Sequence, residues 1–160
     1  AVANSVAENS ANGTTVGLTA LASDADSTNN TITYSLDNSA GGRFAIDSST
    51  GVVTVANGLL LDFDTISSHS ITIRATSSDG SSATQAFTVN LTNVNETPVA
   101  VSDVATAVEA GGVSNGTVGT NPSGNVLAND TDTDSPDTKT VTGVAVGSVA
   151  SASGSVGTVV

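Results

Sequence analysis

The chain has 160 residues, with 15 Asp and Glu against 3 Lys and Arg, which gives a formal charge of −12 at pH 7. Such a field repels phosphate backbones and argues against nucleic acid as a partner. Cysteine is absent, which removes disulfide frameworks and thiolate metal sites, and no apolar run approaches the roughly 20 residues of a membrane span.

Charged residues make up only 11% of the chain, so the polar surface is built of Ser, Thr, Asn and Gly. A surface that depends so little on ion pairs suits an exposed, secreted protein. The opening AVANSVAENS has neither a basic start nor an apolar stretch, so any export signal is expected elsewhere or already removed.

In chain order the segments alternate apolar with polar and are rich in Thr, Val and Ile, the pattern of half-buried strands. A short strand-like start precedes Glu8. Val16-Gly17-Leu18 follows, then TITYSL, which places Ile32, Tyr34 and Leu36 on one face. Phe44-Ala45-Ile46 and Val52–Val55 are shorter candidates. SITIRAT aligns Ile71, Ile73 and Ala75, and AFTVNLT aligns Phe87, Val89 and Leu91. Turn residues separate these runs: Asp37-Asn38, Ser49-Thr50-Gly51 and Asp79-Gly80. Seven short strands at such intervals predict an all-β sandwich over residues 1–97.

Pro98 after NVNET marks a boundary, because proline disfavours continuation of a strand. VAVSDVATAVEAGG then predicts a further strand-like stretch. Residues 98–160 are too short and Gly-rich for a complete sandwich, and SASGSVGTVV ends within strand-like sequence. An incomplete second β-sandwich, and a chain that is part of something longer, are the expectations. VAENSANGT near the start is similar to AVEAGGVSNGT at 107–117, and LTALASDADS to NVLANDTDTDS at 125–135. The separation of about 100 residues is one sandwich domain, the period of an array of repeats.

The acidic residues fall in short runs: Glu8-Asn9, Asp24-Ala25-Asp26, Leu61-Asp62-Phe63-Asp64, Asn93-Val94-Asn95-Glu96, and Asp130-Thr131-Asp132-Thr133-Asp134. In an extended segment residues i and i+2 point the same way, so two carboxylates of a D-x-D meet about 6–7 Å apart along the strand. They repel unless a cation lies between them, and Lys and Arg are nearly absent. A hard divalent ion with six to eight oxygen ligands suits such a set, with Asn side chains as neutral donors. Asp and Asn also serve as ordinary turn residues, and a single D-x-D loop is more often a solvated turn. The single His and lack of thiolates argue against zinc or copper.

The order of these elements resembles the cadherin repeat. Glu8-Asn9 matches its opening pair, Ala22-Ser23-Asp24-Ala25-Asp26 its Ala-x-Asp-x-Asp, and Tyr34-Ser35-Leu36 its Tyr-Ser-Leu strand. Phe44-Ala45-Ile46-Asp47-Ser48-Ser49-Thr50-Gly51 matches Phe-x-Ile-Asp-x-x-Thr-Gly in full. Leu61-Asp62-Phe63-Asp64 stands at the Leu-Asp-x-Glu element, with Asp in place of Glu. Asn93-Val94-Asn95-Glu96-Thr97-Pro98 is similar to the closing linker of bacterial versions. One departure is Ser77, where the family usually carries Asp; Asp79 is the candidate replacement. Further on, Asn125-Val126-Leu127-Ala128-Asn129-Asp130-Thr131-Asp132 resembles the VCBS repeats of large type I-secreted adhesins.

The resemblance implies a Greek-key sandwich of the cadherin or immunoglobulin kind, with Ca2+ bound where successive domains meet. Glu8, Asp62 and Asp64 from the first domain, Asn93, Asn95 and Glu96 from the linker, and Asp130 and Asp132 from the second would share one junction. Asp24 and Asp26 would serve the opposite pole. The implied role is a calcium-stiffened adhesion module of a bacterial surface or secreted repeat protein, extracellular, with neighbouring repeats as partners and possible homophilic or glycan contacts. A carbohydrate-binding module and a filament subunit are the alternatives; with one Tyr, three Phe and no Trp, the former lacks an aromatic platform. His69 and Arg43 belong to no nucleophile pattern and read as surface or loop-packing residues. No catalytic motif appears, and no enzyme is expected.

Overall fold

The computed structural model describes residues 4–25, 31–134 and 137–143, and the chain divides into two compact units, Ala1–Asn95 and Glu96–Val160. Asp26, Ser135, Pro136 and the closing SASGSVGTVV therefore lie outside the described residues.

The first unit holds seven strands: β1 (Ser5–Ala7), β2 (Thr15–Thr19), β3 (Ile32–Asn38), β4 (Phe44–Ile46), β5 (Val52–Val55), β6 (Ser68–Ser77) and β7 (Ser82–Thr92). They form two sheets, one in the order β1-β7-β6-β3 and the other β2-β5-β4. All pairings are antiparallel except that of β1 with β7, which runs parallel with Ser5 beside Asn90 and Ala7 beside Thr92. The architecture is an all-β, Greek-key sandwich.

Alternation builds the core. Val16 and Leu18 of β2, Val53 and Val55 of β5, Ile71 and Ile73 of β6, and Val89 and Leu91 of β7 are all buried, with Phe44 and Leu61 closing the layer. Each such side chain contributes about 1.5–3 kcal/mol on leaving water. Tyr34, Leu36, Ile46, Phe63 and Phe87 pack around this cluster. In β2 the register shifts between Thr15 and Thr19, and Gly17 takes φ +72° within that irregularity, where a side chain would be strained.

The β6–β7 hairpin is longer than the alternation predicts, since β7 begins at Ser82. Residues Ser82–Ala86 are small or polar and all exposed, so they pair with β6 without the hydrophobic period that marks the rest of the strand.

The second unit departs from expectation. Residues 99–112 form no multi-residue strand; they contribute isolated bridges, Val99 with Thr131, Val108 with Thr120 and Gly111 with Thr117. Val104, Val113 and Val118 are 95%, 94% and 88% exposed, so these apolar positions face no opposing sheet among the described residues. Strands need such a face to be stable.

Candidate metal centre

Leu61 is wholly buried and anchors the loop that carries Asp62 and Asp64. A single 3-10 turn, Gly58–Leu60, precedes it, capped by the Asn57 side chain, which accepts from Leu59 N. This turn lies against the segment that follows Glu8. Gly58 N donates to Asn12 Oδ1 at 2.9 Å, and Asn9 N donates to the Leu61 carbonyl oxygen at 3.2 Å. A Cβ on Gly58 would stand 1.8 Å from the Ser10 carbonyl oxygen, so only glycine lets the two segments approach. Asn9 itself holds φ +54°, a left-handed value Asn tolerates.

Glu8 directly follows β1 and is only 3% exposed. Its carboxylate is fixed from two sides. Oε2 accepts from Phe63 N at 2.6 Å, and Oε1 accepts from Val94 N at 2.9 Å. One donor belongs to the Asp62–Asp64 loop and the other to the strand exit holding Asn93 and Asn95. Three chain segments thus close on one buried charge.

Asp62 Oδ1 accepts from Thr65 N at 2.9 Å and Oδ2 from the Thr65 hydroxyl at 2.8 Å. The Thr65 hydroxyl, then its amide, holds the Asp62 carboxyl below its ordinary range despite some desolvation. Asp62 therefore stays ionised and oriented. Glu8, Asp62 and Asp64 each place one oxygen within 4.8 Å of the others. Oxygens sharing one calcium at 2.3–2.6 Å can stand about 5 Å apart at most, so this spacing fits. Each engaged carboxylate oxygen keeps a second lone pair for a cation. Glu8, Asp62 and Asp64 could together hold a metal.

Among the other residues singled out by sequence, Asn93 and Asn95 are exposed on either side of Val94. In the second unit Glu96 N donates to Asp134 Oδ2 at 2.6 Å, Asp130 Oδ1 accepts from Val101 N at 2.8 Å, and Asp132 Oδ1 accepts from Asp134 N at 3.2 Å. Asp134, 4% exposed, is the member of this run that the sequence reading left out of the candidate set. Its place as the third Asp at period two was the available signal.

At the opposite end of the first unit, Asp24 borders an open cavity of about 220 Å³ with Ser77, Ser81 and Ser82. Ser77 is buried there. Asp79 does not line that cavity; its Oδ1 accepts from Ser81 N at 2.8 Å, and this turn bond, ahead of the Ser81 side chain, lowers its pKa. Asp47 is likewise a turn residue, accepting from Ser49 N, Thr50 N and the Thr50 hydroxyl.

The family model described as the cadherin domain matches residues 3–92. The chain belongs to the cadherin domain family. Domains of this family are extracellular, adhesion-type modules. Among solved structures, chicken VE-cadherin EC1-2 is 33% identical with a TM-score of 0.48, over 55% of this chain and 45% of that one. Mouse clustered PcdhgC3 EC1-3 is also 33% identical, TM-score 0.49, over 55% of this chain and 29% of that chain. Protocadherin Gamma B7 domains 1-4 share the fold at 23% identity and TM-score 0.52, over 67% and 27% of the two chains. The cadherin match thus spans less than half the length of each of these structures. The search of curated proteins gives no match. No helix among the described residues is long and apolar enough to cross a membrane.

Proposed function

We infer that this cadherin module binds Ca2+ at the pole formed by Glu8, Asp62 and Asp64, and serves as a non-catalytic spacer in a bacterial surface or secreted adhesin. The observation that carries this reading is the convergence of those three carboxylates around a buried Glu8 whose partners come from both neighbouring loops. Carboxylates so close repel one another, and oxygen-only donors select a hard cation.

Asn93 and Asn95 supply neutral oxygens on the same strand exit. Glu96, Asp130 and Asp132 belong to the following unit and are assigned to the same junction by family resemblance alone, as is the VCBS character of that unit. Asp24 and Asp26 belong to a second site at the other pole. Neighbouring repeats are the partners this arrangement requires. Calcium would neutralise the acids at each junction and stiffen the array.

Isothermal titration calorimetry with CaCl2 tests the reading. Saturable binding and a rise in melting temperature of several degrees are expected. No binding and no shift at millimolar calcium would overturn it.

A further inference from the structure

Beside the acidic pole, and sharing Asp62 with it, the first unit has an open cavity of about 220 Å³ lined by Arg43, His69 and Thr65, with Leu59, Leu60 and Ile66 around them. That is room for about seven waters at their liquid volume.

Arg43 is preset. Its Nε donates to the Leu60 carbonyl oxygen at 2.9 Å and its Nη1 to the Ala40 carbonyl oxygen at 2.9 Å, which fixes the guanidinium plane. Nη2 is bound by neither. Among the described residues Arg74 is ion-paired with Asp37 and Lys139 donates to the Asp130 carbonyl oxygen, whereas no carboxylate lies within ion-pairing distance of Arg43. Among the described residues this is a positive charge kept without a counter-ion within 4 Å. Asp62, the acid on the same wall, directs both oxygens to Thr65.

His69 also lines the cavity, its ring tilted against Phe44 at a centroid distance of 6.2 Å. Its Nε2 is buried out of reach of solvent, so the imidazole lends the wall its ring and not that nitrogen. The rim is apolar and exposed, with Leu59 at 89% and Ile66 at 47%.

A fixed guanidinium favours a planar, two-oxygen anion, and the leucine rim favours an apolar body attached to it. We propose that this cavity binds a carboxylate borne on a short aliphatic body, the carboxylate pairing with Arg43 and the body packing on Leu59, Leu60 and Ile66. Two sources carry a carboxylate outside a cell, a peptide C-terminus and an acidic sugar, and the leucine rim selects the former.

The test is NMR titration of the full chain with N-acetyl-L-leucine, N-acetyl-L-leucinamide and glucuronate, each with calcium and with EDTA. N-acetyl-L-leucine is expected to shift the His69 ring and Arg43 Nε–H signals saturably, with the amide at least tenfold weaker. Binding of glucuronate in place of N-acetyl-L-leucine keeps the carboxylate site and assigns it to acidic polysaccharide. Equal binding by acid and amide, or by neither acid, overturns the proposal. Arg43→Gln should abolish the shifts. Because Arg43 also ties two loops, Leu59→Ser gives the second variant: Leu59 is 89% exposed, so the fold is kept while the aliphatic contact is lost, and binding should weaken several-fold. Unchanged binding in both folded variants rejects the assigned residues.

Discussion

The carboxylate of Glu8 and the backbone N–H of Phe63 meet at 2.6 Å, so a buried charge sits directly behind the two aspartates that flank Phe63. Glu8 is therefore both a structural clasp and a candidate cation ligand. Hydrogen bonds to a charged group contribute about 1.5–3 kcal/mol each to net stability. Glu8→Ala should cost about 2–4 kcal/mol without calcium, as two N–H groups lose their acceptor. Urea denaturation in EDTA reads this as a lower midpoint at unchanged slope; an unchanged midpoint contradicts the clasp.

Asp62 and Asp47 both lie in turns that they cap, but only Asp62 faces two other carboxylates. Asp62→Ala should weaken calcium binding at least tenfold, and Asp47→Ala less than twofold. Calorimetric titration of both variants decides between them, and equal losses would remove the pole as the site.

Gly58→Ala addresses the geometry that brings Glu8 beside Asp62. Its Cβ would enter the space of the Ser10 carbonyl oxygen, and backbone cannot swing aside as a side chain can. The cost should exceed about 2 kcal/mol, with calcium affinity falling as well. Gly13→Ala is the control: φ there is +90°, yet nothing stands within 4 Å of the added carbon. It should lose stability through strain alone and keep its calcium affinity. A Gly58→Ala protein as stable as the parent contradicts the close approach.

Acidification should destabilise the fold in two stages. His69 is held below its ordinary 6.5, first by burial and then by the Arg43 charge. The unfolded chain then binds the proton more readily, so that contribution is full above pH 6.5 and declines as pH falls through the folded value. Asp37, held down by the Arg74 side chain, and Asp47, Asp62 and Asp79, held down by turn hydrogen bonds, lie below 3.8. Their contribution persists above pH 3.8 and is lost as pH drops through their folded values. Melting temperature between pH 8 and pH 2 should show a shallow step and then a steeper one. His69→Phe removes the first step only.

Much of the fold is legible in the sequence because its strands are half-buried. β3, β4 and β5 carry their alternation within their own residues, and Asp47, Thr50 and Gly51 write the turn between β4 and β5 locally. The early part of β7 is not legible, since Ser82–Ala86 are all exposed and carry no apolar alternation. The same rule misleads at 99–112, where apolar alternation forms only isolated bridges and meets no second layer among the described residues.

The candidate site divides in the same way. Residue types and order single out Glu8, Asp62 and Asp64, and these come together. Nothing local reveals that Glu8 is buried, because its burial depends on Phe63 and Val94, 55 and 86 residues away in sequence. Gly58 is equally silent, for its need arises only from Ser10. Arg43 and His69 read as bland single residues until the fold sets them in the wall of one cavity.

The parallel pairing of β1 with β7 has a mechanical consequence. The chain enters at one end of β1 and leaves at the far end of β7, so tension applied between the two slides these strands past each other along their length. The bonds at Ser5, Val6 and Ala7 then resist together, and Glu8 bolts the trailing end through Phe63 and Val94. Single-molecule pulling should show one high-force rupture for this module, lowered in Glu8→Ala. A module of this topology is thus built to stay closed when it is stretched between its two ends.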